Sequence, residues 1–160
     1  MYLKRKLNNS LTVFKSKRFP YKMVKSSKRY KVTVGIGGNI GDVKRRFEHL
    51  FTFLQRDIRI DILQTSLILK NPPFGYKPQD DFFNSIVVIK TDMQPHLFLA
   101  YLMKVEKYFG RKRSFANAPR RLDLDIIFFD NRVVKTDTLT IPHLSWSQRD
   151  SVVIPLKSLT

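Results

Sequence analysis

Asp123 and Asp125 stand two positions apart in the stretch APRRLDLDIIFFDN, Ala118 to Asn131. If Leu122 to Phe129 is a strand, the two carboxylates share one face about 7 Å apart, and Leu122, Leu124 and Ile126 share the other. Two divalent ions about 3.5–4 Å apart fit between such carboxylates. Arg111, Arg113, Arg120 and Arg121 precede the pair. Oxygen ligands for hard cations beside guanidinium forks for phosphate oxygens describe a site for a polyphosphate. The same letters also describe an edge strand with a solvated acidic face, and the surrounding elements must decide.

The chain has 160 residues, 42% of them hydrophobic, enough for one domain with its own core. It contains no cysteine, which removes disulfides and thiolate metal sites and is compatible with a reducing compartment. No apolar run approaches a membrane span. The net charge of +17 raises nucleic acid as a partner. That charge is uneven: residues 1–30 carry ten Lys or Arg and no acid, which leaves only +7 for the remaining 130.

Residues 1–29 show no sustained apolar period, and they read as a basic, disordered N-terminal extension. An organellar transit peptide has the same composition, and Met23 is an alternative start. A β-rich alternation from Tyr30 to Ile36 predicts a strand. The run Gly37-Gly38-Asn39-Ile40-Gly41-Asp42 then predicts a tight strand-to-helix turn rather than a phosphate loop, since it fits neither Walker A nor G-x-G-x-x-G. Asp42 caps a helix over Val43 to Gln55.

A strand is expected over Arg59 to Leu69, a stiff loop over Asn71 to Pro78, and a strand over Phe82 to Lys90. Thr91 or Asp92 is expected to cap a helix with Pro95 in its first turn and Gly110 at its end. Glu106 lies in the last turn of that helix, where the macrodipole favours a cation, so it is either a surface acid or a ligand. After the acidic strand, Arg132 to Lys135 reads as its hairpin partner and Thr140 to His143 as a turn. The order is βαββαβ, which makes the fold class α+β, a ferredoxin-like core with a terminal hairpin and helices on a mainly antiparallel sheet.

Several motifs now stand in one order: Gly-Gly-Asn at 37–39, Asn-Pro-Pro-Phe-Gly at 71–75, Asp-Phe-Phe-Asn at 81–84, and Glu106 with Gly110-Arg111. Pro-Arg-Arg-Leu-Asp-Leu-Asp-Ile at 119–126 and Thr-Ile-Pro-His at 140–143 complete the set. Through these the chain from about residue 30 resembles the 6-hydroxymethyl-7,8-dihydropterin pyrophosphokinase family of folate biosynthesis. The resemblance implies transfer of pyrophosphate from ATP, as co-substrate, to the pterin hydroxymethyl group with release of AMP. It implies two Mg²⁺ ions on Asp123 and Asp125, and catalytic arginines at Arg111 and Arg120. ATP contacts fall on Glu106, Arg111, Arg113, Arg120, Ile126, Thr140, His143 and Arg149. The pterin would lie against Asn71, Pro72, Phe74, Phe82 and Asn84, with Phe82 stacking on the ring and Asn84 reading its edge. The partners implied are small molecules, with no specific nucleic acid and no membrane, for a cytoplasmic monomer.

The sequence departs from the family pattern in places. Ser151 replaces the second stacking aromatic, Leu144 a tyrosine, Asn117 a tryptophan and Thr138 an arginine. The alternative class is an RNA-binding module on the same scaffold. Asp123 and Asp125 on its reading strand would repel a phosphate chain, and no run of interleaved Gly and aromatics appears there.

Overall fold

The computed structural model describes residues 3–23, 25–111 and 115–159. Its centre is β4 (Tyr30–Gly38), paired antiparallel on one side with β7 (Phe82–Thr91) and on the other with β8 (Asp123–Phe129). The two helices expected from periodicity are present as α1 (Val43–Gln55) and α2 (Pro95–Tyr108). Both lie on one face of the sheet. Phe47, Leu50, Phe51 and Leu54 of α1 and Phe98, Leu102 and Val105 of α2 join Val32, Val34, Val87, Ile89 and Leu124 in the main core. The opposite face is covered more thinly by α3 (Asp150–Lys157), through Val152 against Ile86, Val88 and Ile127. The βαββαβ order holds, and helices on an antiparallel sheet make the fold α+β of the ferredoxin-like kind.

Asp42 caps α1 as predicted, its side chain accepting from Arg45 N, after Gly41 turns the chain at φ +73°. The cap of α2 is Gln94 instead of Thr91 or Asp92, with Pro95 opening the helix. Asp92 is engaged elsewhere: its Oδ1 accepts from Arg29 N at 2.8 Å.

The predicted strand over 59–69 is two strands, β5 (Ile60–Thr65) and β6 (Ile68–Asn71), both paired with β7. The break falls at Ser66. Its hydroxyl accepts from Ile86 N at 2.8 Å and lies 2.8 Å from Ser85 Oγ, so a side chain takes the place of a backbone rung. The predicted hairpin after β8 also differs. β9 (Val134–Lys135) pairs with β10 (Thr140–Ile141) and not with β8.

The largest correction concerns the N-terminal extension. Its described part is not disordered but supplies three strands, β1 (Leu3–Lys6), β2 (Thr12–Lys15) and β3 (Tyr21–Lys22). β2 pairs with β6, β1 with β2, and β3 with β5, all antiparallel. Phe19 is fully buried, with its ring 5.8 Å from Phe47 and 6.3 Å from Phe51. Glu48 Oε2 of α1 accepts from Ser16 Oγ at 2.7 Å and Arg18 N at 3.2 Å. The apolar pattern hides this because β2 is buried on both faces: Phe14 meets Phe83 in the main core, whereas Val13 packs with Leu11 and Leu69. Neighbouring residues that are both buried leave no alternation to read.

Candidate active site

Along the middle strand, Gly35 pairs with Asp125 on β8, and Gly37 pairs with both Asp123 on β8 and Asn84 on β7. Residues paired across a ladder share a face, so Asn84, Gly37 and Asp123 form a row in which the middle position has no side chain. With strands about 4.8 Å apart, that row opens a trench about 10 Å wide between an amide and a carboxylate. A Cβ on Gly37 would lie 2.5 Å from Asn84 Oδ1, so glycine leaves the room that the amide occupies.

A single cavity over this trench is lined by Asn71, Phe74, Phe82, Asn84, Arg120, Asp123, Asp125, His143 and Arg149. Each of these was picked from sequence, and they come from separate stretches of chain. Gly35, Ser85, Asn117, Ile127, Ser151 and Val152 also line it. Where the family pattern places a second aromatic, Ser151 and Val152 form that wall. The glycines and Ile127 were missed by sequence reasoning. The signal for the glycines was present as Gly35-x-Gly37 inside a strand, a spacing that empties one face. Ile127 faces the cavity because β8 bulges there, Val34 pairing with Ile126 and Thr33 with Phe128.

The phosphate-like end is built from arginines on carboxylates. Arg120 Nη1 donates to Asp123 Oδ2 at 3.0 Å, and Arg111 Nη1 donates to Asp123 Oδ1 and to Glu106 Oε2, the latter at 2.8 Å. Glu106 is buried at the end of α2 and accepts from Leu124 N at 2.7 Å, which fixes the acidic strand against the helix. Burial raises its pKa against the pull of Leu124 N and Arg111. For Arg111, burial opposes the charge, but Asp123 and Glu106 raise its pKa overall.

Among the described residues no side chain forms an ion pair with the Asp125 carboxylate, although the charges of Arg111 and Arg120 reach it. Burial first, and the charges of Asp123 and Glu106 next, push it up to about 7. Burial and Arg149 lower the His143 pKa. Its Nδ1 accepts from Ser145 N at 3.3 Å, which leaves Nε2 to carry the proton in the neutral ring.

At the other end, Asn84 Nδ2 donates to Asn71 Oδ1 at 2.6 Å, so the two amides orient each other. The Arg120 guanidinium lies 5.1 Å from the Phe82 ring centroid, and Arg149 lies 4.6 Å from that of Phe74. The exposed Phe74 therefore has a cation on its face.

Other expected residues stand further off. Glu106 and Arg111 sit behind Asp123, outside the cavity lining. Pro72 is exposed and does not line it, and Thr140 is on β10, away from the wall. The Ile126 side chain is in the helix-side core, so only its backbone faces other partners. Arg113 lies outside the described residues.

Residues 33–160 match the family model described as 7,8-dihydro-6-hydroxymethylpterin-pyrophosphokinase. The chain belongs to this family. A 2-amino-4-hydroxy-6-hydroxymethyldihydropteridine pyrophosphokinase of Campylobacter jejuni is 40% identical over 144 residues, 89% of this chain and 91% of the relative. The Helicobacter pylori protein of the same description is 38% identical over 128 residues, 79% of this chain and 78% of that one. A folic acid synthesis protein of Dictyostelium discoideum is 32% identical over 96% of this chain, which spans 25% of that longer protein. The chain is thus a pyrophosphokinase, a diphosphotransferase of folate synthesis, and its family uses ATP as co-substrate.

Proposed function

We propose that the cavity is where this enzyme transfers the β,γ-pyrophosphoryl group of ATP to the hydroxymethyl oxygen of 6-hydroxymethyl-7,8-dihydropterin. The oxygen–Pβ bond forms, the bond from Pβ to the α-phosphate oxygen breaks, AMP leaves, and the hydroxyl proton is released. The observation that carries this is the division of the cavity. An aromatic and two amides lie on the β7 side of the glycine trench, and two carboxylates with cationic neighbours lie on the β8 side.

Phe82 offers a ring face and Asn84 a carboxamide with its Oδ1 over Gly37, the acceptor that a pterin edge needs. Asn71 sets the orientation of that amide. On the β8 side, Arg120, Arg149 and neutral His143 offer donors for a triphosphate. Arg120 is held by Asp123 and lies over Phe82, so a ring stacking on that face and a phosphate compete for the space it fills.

Magnesium fits the same residues. Asp125 is a half-buried carboxyl lining the cavity, with no ion pair among the described residues, and Asp123 beside it is able to exchange an arginine for a cation. No group of three or more His, Cys, Asp or Glu suited to a metal exists among the described residues. That suits Mg²⁺, which is commonly held by one or two carboxylates plus substrate phosphates. Bound with the triphosphate, two Mg²⁺ ions would supply positive charge against that growing on the attacking and leaving oxygens.

Among the described residues no helix is long and apolar enough to cross a membrane. A monomer in the cytoplasm, acting on two small molecules with no specific nucleic acid, fits a site built within one chain. The test is AMP formation from MgATP and the reduced pterin. The variant Asp123→Ala/Asp125→Ala is expected to lose about a thousandfold or more in kcat while still folding. Full activity in that variant would sink the metal assignment.

A further inference from the structure

A second recess lies on the helix side of the sheet, between α1 and the end of α2. Two adjoining hollows, of about 800 Å³ and 490 Å³, meet at His49, Tyr108 and Phe109. That is the size of a small-molecule site. The recess shares no lining residue with the cavity described above. Its α1 wall runs from Arg45 through His49 and Phe53 to Arg56. At 1.5 Å per residue that wall is about 16 Å long.

The two halves differ in chemistry. One is aromatic: the Phe53 ring centroid lies 4.5 Å from that of Tyr108 and 5.6 Å from that of Phe109, and Tyr108 is 69% exposed. The other is cationic. Arg46 Nη1 donates to the Ile40 carbonyl at 2.6 Å and to the Arg121 carbonyl at 3.0 Å, which fixes its guanidinium in the wall. A Cβ on Gly41 would lie 3.1 Å from Arg46 Nη2, and one on Gly110 3.1 Å from Arg121 Cδ, so both arginines lie against glycines. Burial, and next the charge of Arg121, lower the Arg46 pKa, and Asp42 opposes them in part. Among the described residues no ion pair reaches Arg45, Arg46 or Arg121. The acids in the lining are engaged elsewhere: Asp42 Oδ1 accepts from Arg45 N, and Asp57 Oδ2 lies 2.7 Å from Arg59 Nη2. Folding thus gathers three guanidinium groups beside an exposed aromatic stack and gives none of them a carboxylate.

We propose that this recess is a second ligand site, which takes a flat heteroaromatic ring with an anionic tail: the ring on Phe53 and Tyr108, the anion on Arg45, Arg46 and Arg121. Exposed rings stack on any flat heterocycle, and guanidinium forks give phosphate or carboxylate oxygens two-point contacts. A purely apolar partner would leave the arginines without an anion, and an inorganic anion would leave the rings in water. One small molecule that carries both groups satisfies both halves. A phosphate on a nucleoside and carboxylates on a pteridine each supply this chemistry.

The experiment titrates the full chain, without Mg²⁺, with AMP and with folic acid by calorimetry, with adenosine and inorganic phosphate as the ring alone and the anion alone. Wild type, Arg45→Glu and Tyr108→Ser are compared, with thermal melting and steady-state kinetics for each. Wild type is expected to bind AMP, folic acid or both with a Kd of about 1 mM or tighter. Arg45→Glu and Tyr108→Ser each weaken that binding about tenfold or more, the size of one lost charged hydrogen bond or one lost stack. Both side chains are exposed and outside the cavity lining, so kcat and the KM for ATP stay within about twofold. AMP bound without folic acid assigns the tail to a phosphate, and the reverse assigns it to carboxylates. Binding that neither variant weakens belongs to the cavity and overturns the proposal, as does a wild type that binds neither ligand. Inorganic phosphate held as tightly as AMP overturns it too, the mark of an adventitious ion only. A single-stranded oligonucleotide held through Arg45, with AMP and folic acid refused, overturns it in favour of a nucleic-acid surface.

Discussion

Residues 3–22 and the loops around Asp123 both extend the same sheet, and they are held by opposite means. β2 and the Phe19 turn that follows it are held largely by burial, whereas the exposed β1 is held by its ladder to β2. Phe14 and Phe19 sit in the main core, Leu11 and Val13 in a smaller one, and the attraction is non-directional. The active-site end is held by directional bonds: Arg111 and Arg120 on Asp123, Glu106 on Leu124 N, and Asn39 on two loops. Apolar burial has no substitute in a small polar ligand. An arginine on a carboxylate does, because a phosphate offers it the same two-point contact. The first region is therefore built to stay, and the second to exchange partners.

The harshest way to break this contrast is to remove residues 1–22. Four apolar side chains leave their burial at about 1.5–3 kcal/mol each, a sum close to the whole stability of a domain, about 5–15 kcal/mol. Loss of the cooperative melting transition is expected. A truncated chain that melts and turns over normally would return the segment to the status of an appendage. Next in size, Phe19→Ala should cost about 3–5 kcal/mol in urea unfolding, with kcat of the folded fraction unchanged. Arg120→Ala should do the reverse. It should raise the KM for ATP about ten- to a hundredfold through lost charged hydrogen bonds, while moving stability by less than about 1 kcal/mol.

The smallest expected effect is a titration. Ser26 Oγ donates to Asp61 Oδ2 at 2.6 Å and Lys28 Nζ lies 3.2 Å away, and these lower the Asp61 pKa, the Ser26 bond more than Lys28. The folded state then binds this proton less readily than the unfolded one, so stability rises with pH. The contribution is full above the unfolded pKa of about 3.9 and is lost as pH falls through the lower folded value. Asp61→Asn should flatten the stability profile in that acid range and leave kcat at neutral pH alone. Urea midpoints from pH 2 to 6 check it, and an unchanged acid slope would show that this tie contributes nothing to the N-terminal attachment.

Much of the frame was legible because its signals are local. The 3.6-residue period of α1, the Asp42 cap, the alternation of β4 and the Asp-x-Asp spacing of β8 each lie within one short window. The candidate site was legible in residue types: Phe82, Asn84, Asp123, Asp125 and His143 do line one cavity. The failures have two causes. The β5–β6 break depends on Ser85 standing opposite Ser66, the caps of α2 on what Arg29 takes from Asp92, and the pairing of β9 on β10 rather than β8. The partners in the first two cases are distant in sequence, 19 and 63 positions apart, whereas β9 and β10 are close neighbours and the short run at β10 gave no strand signal.

By itself, the sequence determined which elements form in the βαββαβ frame, which face of β8 is acidic, and which family the chain belongs to. Those follow from periodicity and from motifs short enough to be read in place. Only the tertiary structure decided that the basic N-terminal segment is a working part of the sheet, that Gly35 and Gly37 open a trench between Asn84 and Asp123, and that Asn39 spans two loops. Those depend on strand register and on which distant surfaces meet. Shifting a strand by one residue would move every side chain to the other face while leaving the sequence untouched.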